Sequence, residues 1–219
     1  MNRTLTAVKL DFYAGKSMIE MTAILTIIAV VIGVVSHGPD YAMIMMMIFG
    51  VTSSGSVFSV HEKNHSEKLY GTLPLKKSEL ITGRYLYALI IGSAYIVAAG
   101  IMGAAMTKIM GLDFNSLGYW AAIGIGFAYF CFAVGVAYPI YFKFSFSKAY
   151  IFTMLPMYII AVAFLIITRK TDLNAGLAEI VKFFTPRIYL APIFGLLAGL
   201  ILLAVSALIA NIIYTQKEI

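Results

Sequence analysis

Residues 41–80 read YAMIMMMIFGVTSSGSVFSVHEKNHSEKLYGTLPLKKSEL, and this stretch decides the fold class. Its first part, 41–60, carries no charge and has about the length that an α-helix needs to cross the ~30 Å hydrocarbon core of a bilayer. Its second part, 61–79, holds the densest cluster of charge in the chain, and a further apolar run begins at Leu80. The alternation predicts two membrane-spanning helices joined by a polar segment.

The whole chain has the composition of an integral membrane protein. Of its 219 residues, 61% are hydrophobic and 12% are charged, and the mean hydropathy is +0.92; soluble domains are about 25% charged. Apolar runs long enough to span a bilayer recur six times, at about 18–36, 41–60, 80–107, 118–142, 149–168 and 188–214. We therefore predict an all-α polytopic protein with six transmembrane helices, in which residues 1–219 form a single domain.

Lys and Arg are distributed unevenly between the two ends of these spans. Eleven of the sixteen lie on the side of the polar segment 61–79 and of both chain termini. Because cytoplasmic loops carry the excess of basic residues, we expect both termini and segment 61–79 in the cytoplasm. This arrangement also accounts for the net charge of +6 without a nucleic-acid partner. The other five are Lys108 and the four that follow the fifth run, Arg169, Lys170, Lys182 and Arg187.

The chain lacks an energy source of its own. Residues 86–107, 149–168 and 188–214 contain no Asp, Glu, Lys or Arg, whereas proton- or sodium-coupled carriers usually keep ionisable groups at membrane depth. The nearest approach to a phosphate-binding loop, LDFYAGKS, has Leu10 where the motif requires glycine. We therefore expect no catalytic residue and no cofactor in this chain, so any uphill transport requires a second protein.

Within the polar segment, HEKNH matches the H-E-x-x-H pattern of zinc proteases. The residues of the pattern are His61, Glu62 and His65. Zinc needs a third protein ligand, but His37 and Asp113 are predicted on the opposite membrane face, and Glu79 lies beyond the helix-breaking GTLPL. The single cysteine, Cys131, has no partner for a disulfide or a cysteine-based zinc site. We expect no metal here, and an intramembrane zinc protease is kept as an alternative.

A different interpretation treats the polar segment as a docking helix. Residues 61–71 can form a short helix that Gly71 and Pro74 end. One face is charged, and the residues that follow form an apolar patch. The charged residues are Glu62, Lys63, Glu67 and Lys68, and the patch consists of Leu69, Tyr70 and Leu73. Such a helix suits the groove of a soluble partner, and an ordinary polar loop is the simpler alternative.

The order of TLTAVKLDFYAGKS, two spans and EKNHSEKLYGTLPLKKSELITGRYLYAL resembles the membrane subunits of type-2 ABC exporters. It is most similar to small six-span bacterial permeases such as the phenol-soluble-modulin and antimicrobial-peptide exporter subunits. In that family an acidic-polar segment, LP, basic residues and Arg-Tyr, here Arg84 and Tyr85, mark the coupling helix and the start of the third span. The resemblance implies that residues 61–79 contact an ABC ATPase, which would bind ATP and Mg²⁺. The implied contacts are Glu62, Glu67, Lys68, Leu69, Tyr70 and Leu73.

Two other segments acquire roles through this resemblance. In residues 1–17, Leu5, Val8 and Phe12 share one face beside basic residues, which indicates an interfacial helix on the inner leaflet. The resemblance implies that this helix also touches the ATPase, and a plain membrane anchor is the alternative. Residues 169–187 have apolar residues at helical spacing, and the resemblance implies an outward-facing or re-entrant helix over the exit. Those residues are Leu173, Leu177, Ile180 and Phe184.

Together these features predict the permease subunit of an ATP-driven exporter. We expect it to pair with a second copy or a related permease and to recruit separate ATPase subunits. A pathway poor in fixed charge suits hydrophobic or amphipathic cargo, such as a peptide toxin, an antimicrobial peptide or a lipid. A non-transporting membrane sensor or immunity protein that uses the same docking segment is the main alternative.

Overall fold

The computed structural model describes residues 3–16, 19–35, 38–64, 76–111, 116–169 and 190–216. These residues form α-helices and contain no strand, which confirms the all-α class. The helices are α1 (Arg3–Gly15), α2 (Ile19–Val35), α3 (Pro39–Lys63), α4 (Lys77–Ile109), α5 (Ser116–Lys143), α6 (Phe146–Arg169) and α7 (Ala191–Thr215).

Each of the six predicted apolar runs coincides with one of the helices α2 to α7. Four helices in the described part are long and apolar enough to cross a membrane, which is consistent with a polytopic membrane protein. Their spans are Tyr41–Lys63, Lys77–Ile109, Ala122–Lys143 and Ile193–Thr215. The apolar helix Met21–Val35 is shorter. The full count of six spans and the cytoplasmic position of both termini stay predictions.

Helices α5 and α7 pack against each other over much of their length because glycines let them approach closely. A Cβ atom added at Gly195 would lie 2.5 Å from the carbonyl oxygen of Gly124, and one at Gly199 would lie 2.9 Å from Cys131 Sγ. These two glycines form the G-x-x-x-G pattern of α7. Small residues at such spacing allow helix contact inside a membrane, and here both of them face α5 of the same chain.

An aromatic cluster fills the interior between α3, α4, α5 and α7. Its hydroxyl groups bond to groups on neighbouring helices: Tyr138 donates to the Ser54 carbonyl at 3.0 Å. Tyr85 donates to Ser206 Oγ at 2.6 Å, and Ser206 in turn donates to the Gly135 carbonyl at 2.6 Å. Hydrogen bonds of this kind hold membrane helices in a defined register, because an unpaired hydroxyl is costly in an apolar interior.

The N-terminal helix α1 packs on the first turns of α4. Contact is close at Gly83, where an added Cβ would lie 2.7 Å from Ala7 Cβ and 3.3 Å from the Thr4 carbonyl oxygen. The buried face of α1 therefore consists of Ala7, Val8 and Asp11. Since α1 also contacts α3, it lies beside both helices that flank the polar segment.

Candidate functional site

Asp11 is the centre of a buried polar cluster that joins three helices. It is fully buried on α1, and the Nε2 of His61 at the end of α3 donates to its Oδ1 at 2.9 Å. The Nε of Arg84, two turns into α4, lies 3.9 Å from the other carboxylate oxygen, Oδ2. We call these three residues the Asp11 cluster. Buried charges are costly unless they are paired, so the cluster holds α1 in one place relative to α3 and α4.

Aromatic rings complete the surroundings of Arg84. Its Cζ lies 4.4 Å from the ring centroid of Phe58 and 5.5 Å from that of Phe142. A guanidinium over a ring face is stabilised by the ring quadrupole, more strongly when water is excluded. Arg84 thus connects α1, α3, α4 and α5 at one end of the bundle.

The neighbour of His61 makes a different connection. The backbone N and the Oγ of Ser147 donate to the carboxylate of Glu62 at 3.0 Å and 2.7 Å. Ser147 lies in the first turn of α6, where backbone N–H groups have no partner within the helix. A carboxylate at that position is favourable because it also meets the positive end of the helix dipole. Glu62 therefore joins the end of α3 to the start of α6.

These contacts surround the two ends of segment 65–75. On one side, α3 ends with His61 and Glu62 bonded to α1 and α6. On the other, the Glu79 carboxylate accepts from the backbone N of Lys76 at 2.8 Å and caps the start of α4. The described residues on either side of segment 65–75 thus belong to a base to which α1, α3, α4 and α6 all contribute.

Of the zinc-protease pattern, the described part of the chain holds His61 and Glu62. His61 and Glu62 point to separate partners on α1 and α6, and Glu79 caps its own helix. Across the described ranges, no group of three or more His, Cys, Asp and Glu side chains is placed to hold a metal ion. The remaining residues considered as ligands, His37, His65 and Asp113, lie outside those ranges.

Sequence-predicted residues of the N-terminal helix fall on two sides of α1. Val8 is only 6% exposed and packs inside the protein, instead of facing the bilayer as its spacing predicted, because Gly83 lets this side of α1 approach α4. Leu5 and Phe12 are exposed, and the ring of Phe12 meets Tyr87 edge-on at 5.0 Å. The helix itself forms where the pattern predicted it.

The other predicted site residues lie outside the described part of the chain. In the coupling segment these are Glu67, Lys68, Leu69, Tyr70 and Leu73, and in segment 169–187 they are Leu173, Leu177, Ile180 and Phe184. The residue that sequence reasoning missed is Asp11. Its signal was present, since it is the first acidic residue of the chain and stands in a segment otherwise charged only by Arg3, Lys9 and Lys16.

Comparison with known proteins identifies the family. No curated protein and no solved structure matches the chain. The model of the family described as ABC-2 family transporter protein matches residues 8–215, a range that includes all three residues of the Asp11 cluster and ends in α7. A match over this range, together with several apolar helices, indicates a multi-pass membrane protein. The chain therefore belongs to the ABC-2 transporter family.

Proposed function

We propose that this chain is the transmembrane subunit of an ATP-driven exporter, energised by a separate ABC ATPase that docks on residues 61–79. Membership of the ABC-2 transporter family supports a permease role and a partner ATPase in general. The observation that carries the docking site is the base formed by the Asp11 cluster and the Glu62–Ser147 contact. Both lie where segment 65–75 begins and ends.

This arrangement suits the transmission of force. Closure of the ATPase subunits would push on segment 65–75, and the push would reach α3 and α4 through the chain itself. It would reach α1 through the His61–Asp11 hydrogen bond and α6 through Glu62 and Ser147. Rigid-body tilting of packed helices is a common form of such transitions. The Asp11 cluster and the Glu62–Ser147 contact together would make the four helices tilt together.

The outward direction, the cargo and the second permease chain are also proposals. The described membrane-depth parts of α4 and α7 are apolar, which favours hydrophobic or amphipathic cargo such as a peptide toxin, an antimicrobial peptide or a lipid. Two copies of this chain, or this chain and a related permease, would form the path at their interface. ATP and Mg²⁺ would be bound by the partner ATPase in the cytoplasm of a bacterial cell.

The docking site is tested by removing the predicted apolar patch. We expect Leu69→Ala with Tyr70→Ala to leave the permease in the membrane and folded, but to abolish recovery of an ABC ATPase with the tagged chain. The reason is that a few buried aromatic and aliphatic anchors carry most of the energy of an interface. The measurement is mass-spectrometric identification of the recovered protein, together with its ATP hydrolysis.

A matched control is Ile109→Ala with Trp120→Ala. These residues are also one aliphatic and one aromatic side chain, both are exposed, and they lie toward the opposite end of the bundle. This variant should keep the ATPase. Recovery of the ATPase by the Leu69/Tyr70 variant at the wild-type level, or its absence from the wild-type preparation, would refute the proposal.

A further inference from the structure

A cavity of about 700 Å³ lies between α1, α2, α3 and α4. This volume is within the range of about 300–1,000 Å³ that is typical of small-molecule sites. Its wall is largely apolar and aromatic, as in such sites. Residues on that wall include Phe12, Tyr13, Tyr87, Ile91, Ala94 and Tyr95.

Lys9 of α1 and Lys16, which directly follows α1, add positive charge to this cavity. Lys9 and Lys16 both line it and both are exposed. They are seven residues apart, which corresponds to about 10 Å along a helix. Among the described residues that line the cavity there is no Asp or Glu. The rim of the cavity therefore attracts an anion.

The inner end of the cavity extends into the bundle. It reaches Ser53 on α3 and Tyr95 on α4, which share a hydrogen bond of 2.6 Å. Ser53 precedes His61 by eight residues and Tyr95 follows Arg84 by eleven, so this end lies about 12–16 Å along the helices from the Asp11 cluster. One leaflet of the hydrocarbon core is about 15 Å thick. The distance from the Asp11 cluster to this end of the cavity is therefore similar to the length of a lipid acyl chain.

We propose that this cavity binds an anionic phospholipid. The phosphate is placed at Lys9 and Lys16, and one acyl chain follows the apolar wall toward Ser53 and Tyr95. A free anion would use the lysines but not the wall, and a cationic peptide would be repelled by the lysines. An anionic lipid suits both the lysines and the apolar wall, and it is the anion that a helix at the membrane interface contacts. The site is separate from the ATPase-docking segment and does not depend on the proposed function.

The test is titration of the purified full-length protein in detergent with phosphatidylglycerol or phosphatidylcholine, with bound lipid counted by native mass spectrometry. We expect phosphatidylglycerol to bind at least about tenfold more tightly, since the rim carries positive charge. Lys9→Gln with Lys16→Gln should weaken phosphatidylglycerol binding about 30-fold, which corresponds to about 1 kcal/mol for each lysine at a membrane surface. Binding of phosphatidylcholine should change less.

Two matched controls distinguish lipid binding in the cavity from general electrostatic attraction to the protein surface. Lys143→Gln with Lys148→Gln removes the same charge at residues that do not line the cavity, and should leave binding within about threefold. Ala94→Trp fills the cavity without changing charge and should abolish binding, whereas Val97→Trp, on an exposed position outside the lining, should not. Each variant is first shown to keep the wild-type melting temperature.

Three outcomes would overturn the proposal. The first is an equal loss of binding in both lysine pairs, which would indicate general surface attraction. The second is full binding by the Lys9/Lys16 variant or by the Ala94→Trp variant. The third is competition by inorganic phosphate at millimolar concentration, which would indicate a free-anion site. Recovery of the ATPase is a separate measurement, so failure of the lipid site does not count against the docking segment.

Discussion

Replacement of Asp11 by Asn tests whether the Asp11 cluster holds α1 on the bundle. Asn has nearly the same shape, and its carbonyl oxygen can still accept from His61 Nε2, which lies 2.9 Å from the present carboxylate oxygen. What the substitution removes is the negative charge 3.9 Å from Arg84 Nε. The guanidinium would then stay buried without the carboxylate.

The expected cost follows from the geometry. At 3.9 Å and an effective dielectric constant of about 20, the attraction between the charges is about 4 kcal/mol. Removing one partner of a buried pair costs about 3–5 kcal/mol in general. Because the rings of Phe58 and Phe142 still face Arg84, we expect a loss of about 3 kcal/mol in the free energy of unfolding, toward the lower end of that range. For a chain of this size it corresponds to a fall of about 6–12 °C in melting temperature.

The chain supplies its own probe for this measurement. Its single cysteine, Cys131, is buried in the aromatic cluster beside Gly199. A thiol-reactive dye will therefore label the detergent-solubilised protein only as the bundle opens, and the midpoint of labelling on heating gives the melting temperature. Wild type and variants need no engineered label.

A double-mutant cycle tests whether the interaction between Asp11 and Arg84 is responsible for the loss of stability. Asp11→Asn and Arg84→Met should each lower the melting temperature, but the double variant should lose about 2 kcal/mol less than the sum of the two, since replacing a buried ion pair as a whole is often nearly neutral. Strictly additive losses would show that Asp11 and Arg84 do not act together. A melting temperature of Asp11→Asn within about 2 °C of wild type would refute the estimate itself.

Two further predictions concern the position of α1 and the orientation of the chain. Gly83→Ala should lower the melting temperature by about 2–12 °C, because its methyl group would lie 2.7 Å from Ala7 Cβ and push α1 away. The matched control is Gly135→Ala, which should be tolerated because its added Cβ meets nothing closer than 3.6 Å. In a background with the native cysteine replaced by serine, a cysteine at Asn174 should react with a membrane-impermeant reagent added to whole cells, whereas one at Ser66 should not. The opposite labelling pattern would contradict the predicted orientation and the cytoplasmic docking site with it.

The positions of the helices could be predicted from the sequence because they depend on local properties. A run of about twenty apolar residues must satisfy its backbone hydrogen bonds within itself when it crosses a bilayer, so it forms a helix whatever surrounds it. The six predicted runs accordingly coincide with α2 to α7. Arg84 also stood out in the sequence, because it lies near the start of the third apolar run and belongs to the Arg-Tyr part of the family pattern.

The candidate site could be predicted only in part. The sequence singled out His61 and Glu62 as members of one motif, and their shared spacing favoured a shared role. In the structure they make different contacts. His61 bonds to Asp11, fifty residues earlier, and Glu62 bonds to Ser147, eighty-five residues later. The spacing along one helix says where a side chain projects, but it does not say which distant helix packs there.

The sequence by itself determined that this is an all-helical membrane protein with a charged segment between its second and third apolar runs, because composition and hydrophobic length are properties of the chain alone. Only the tertiary structure decided that Val8 faces the protein and that Asp11 meets His61 and Arg84. The physical reason is the close approach of α1 to α4 at Gly83, where the absence of a side chain on one helix sets which face of the other is buried. Helical periodicity describes one helix at a time, whereas burial of a carboxylate depends on the surfaces of three.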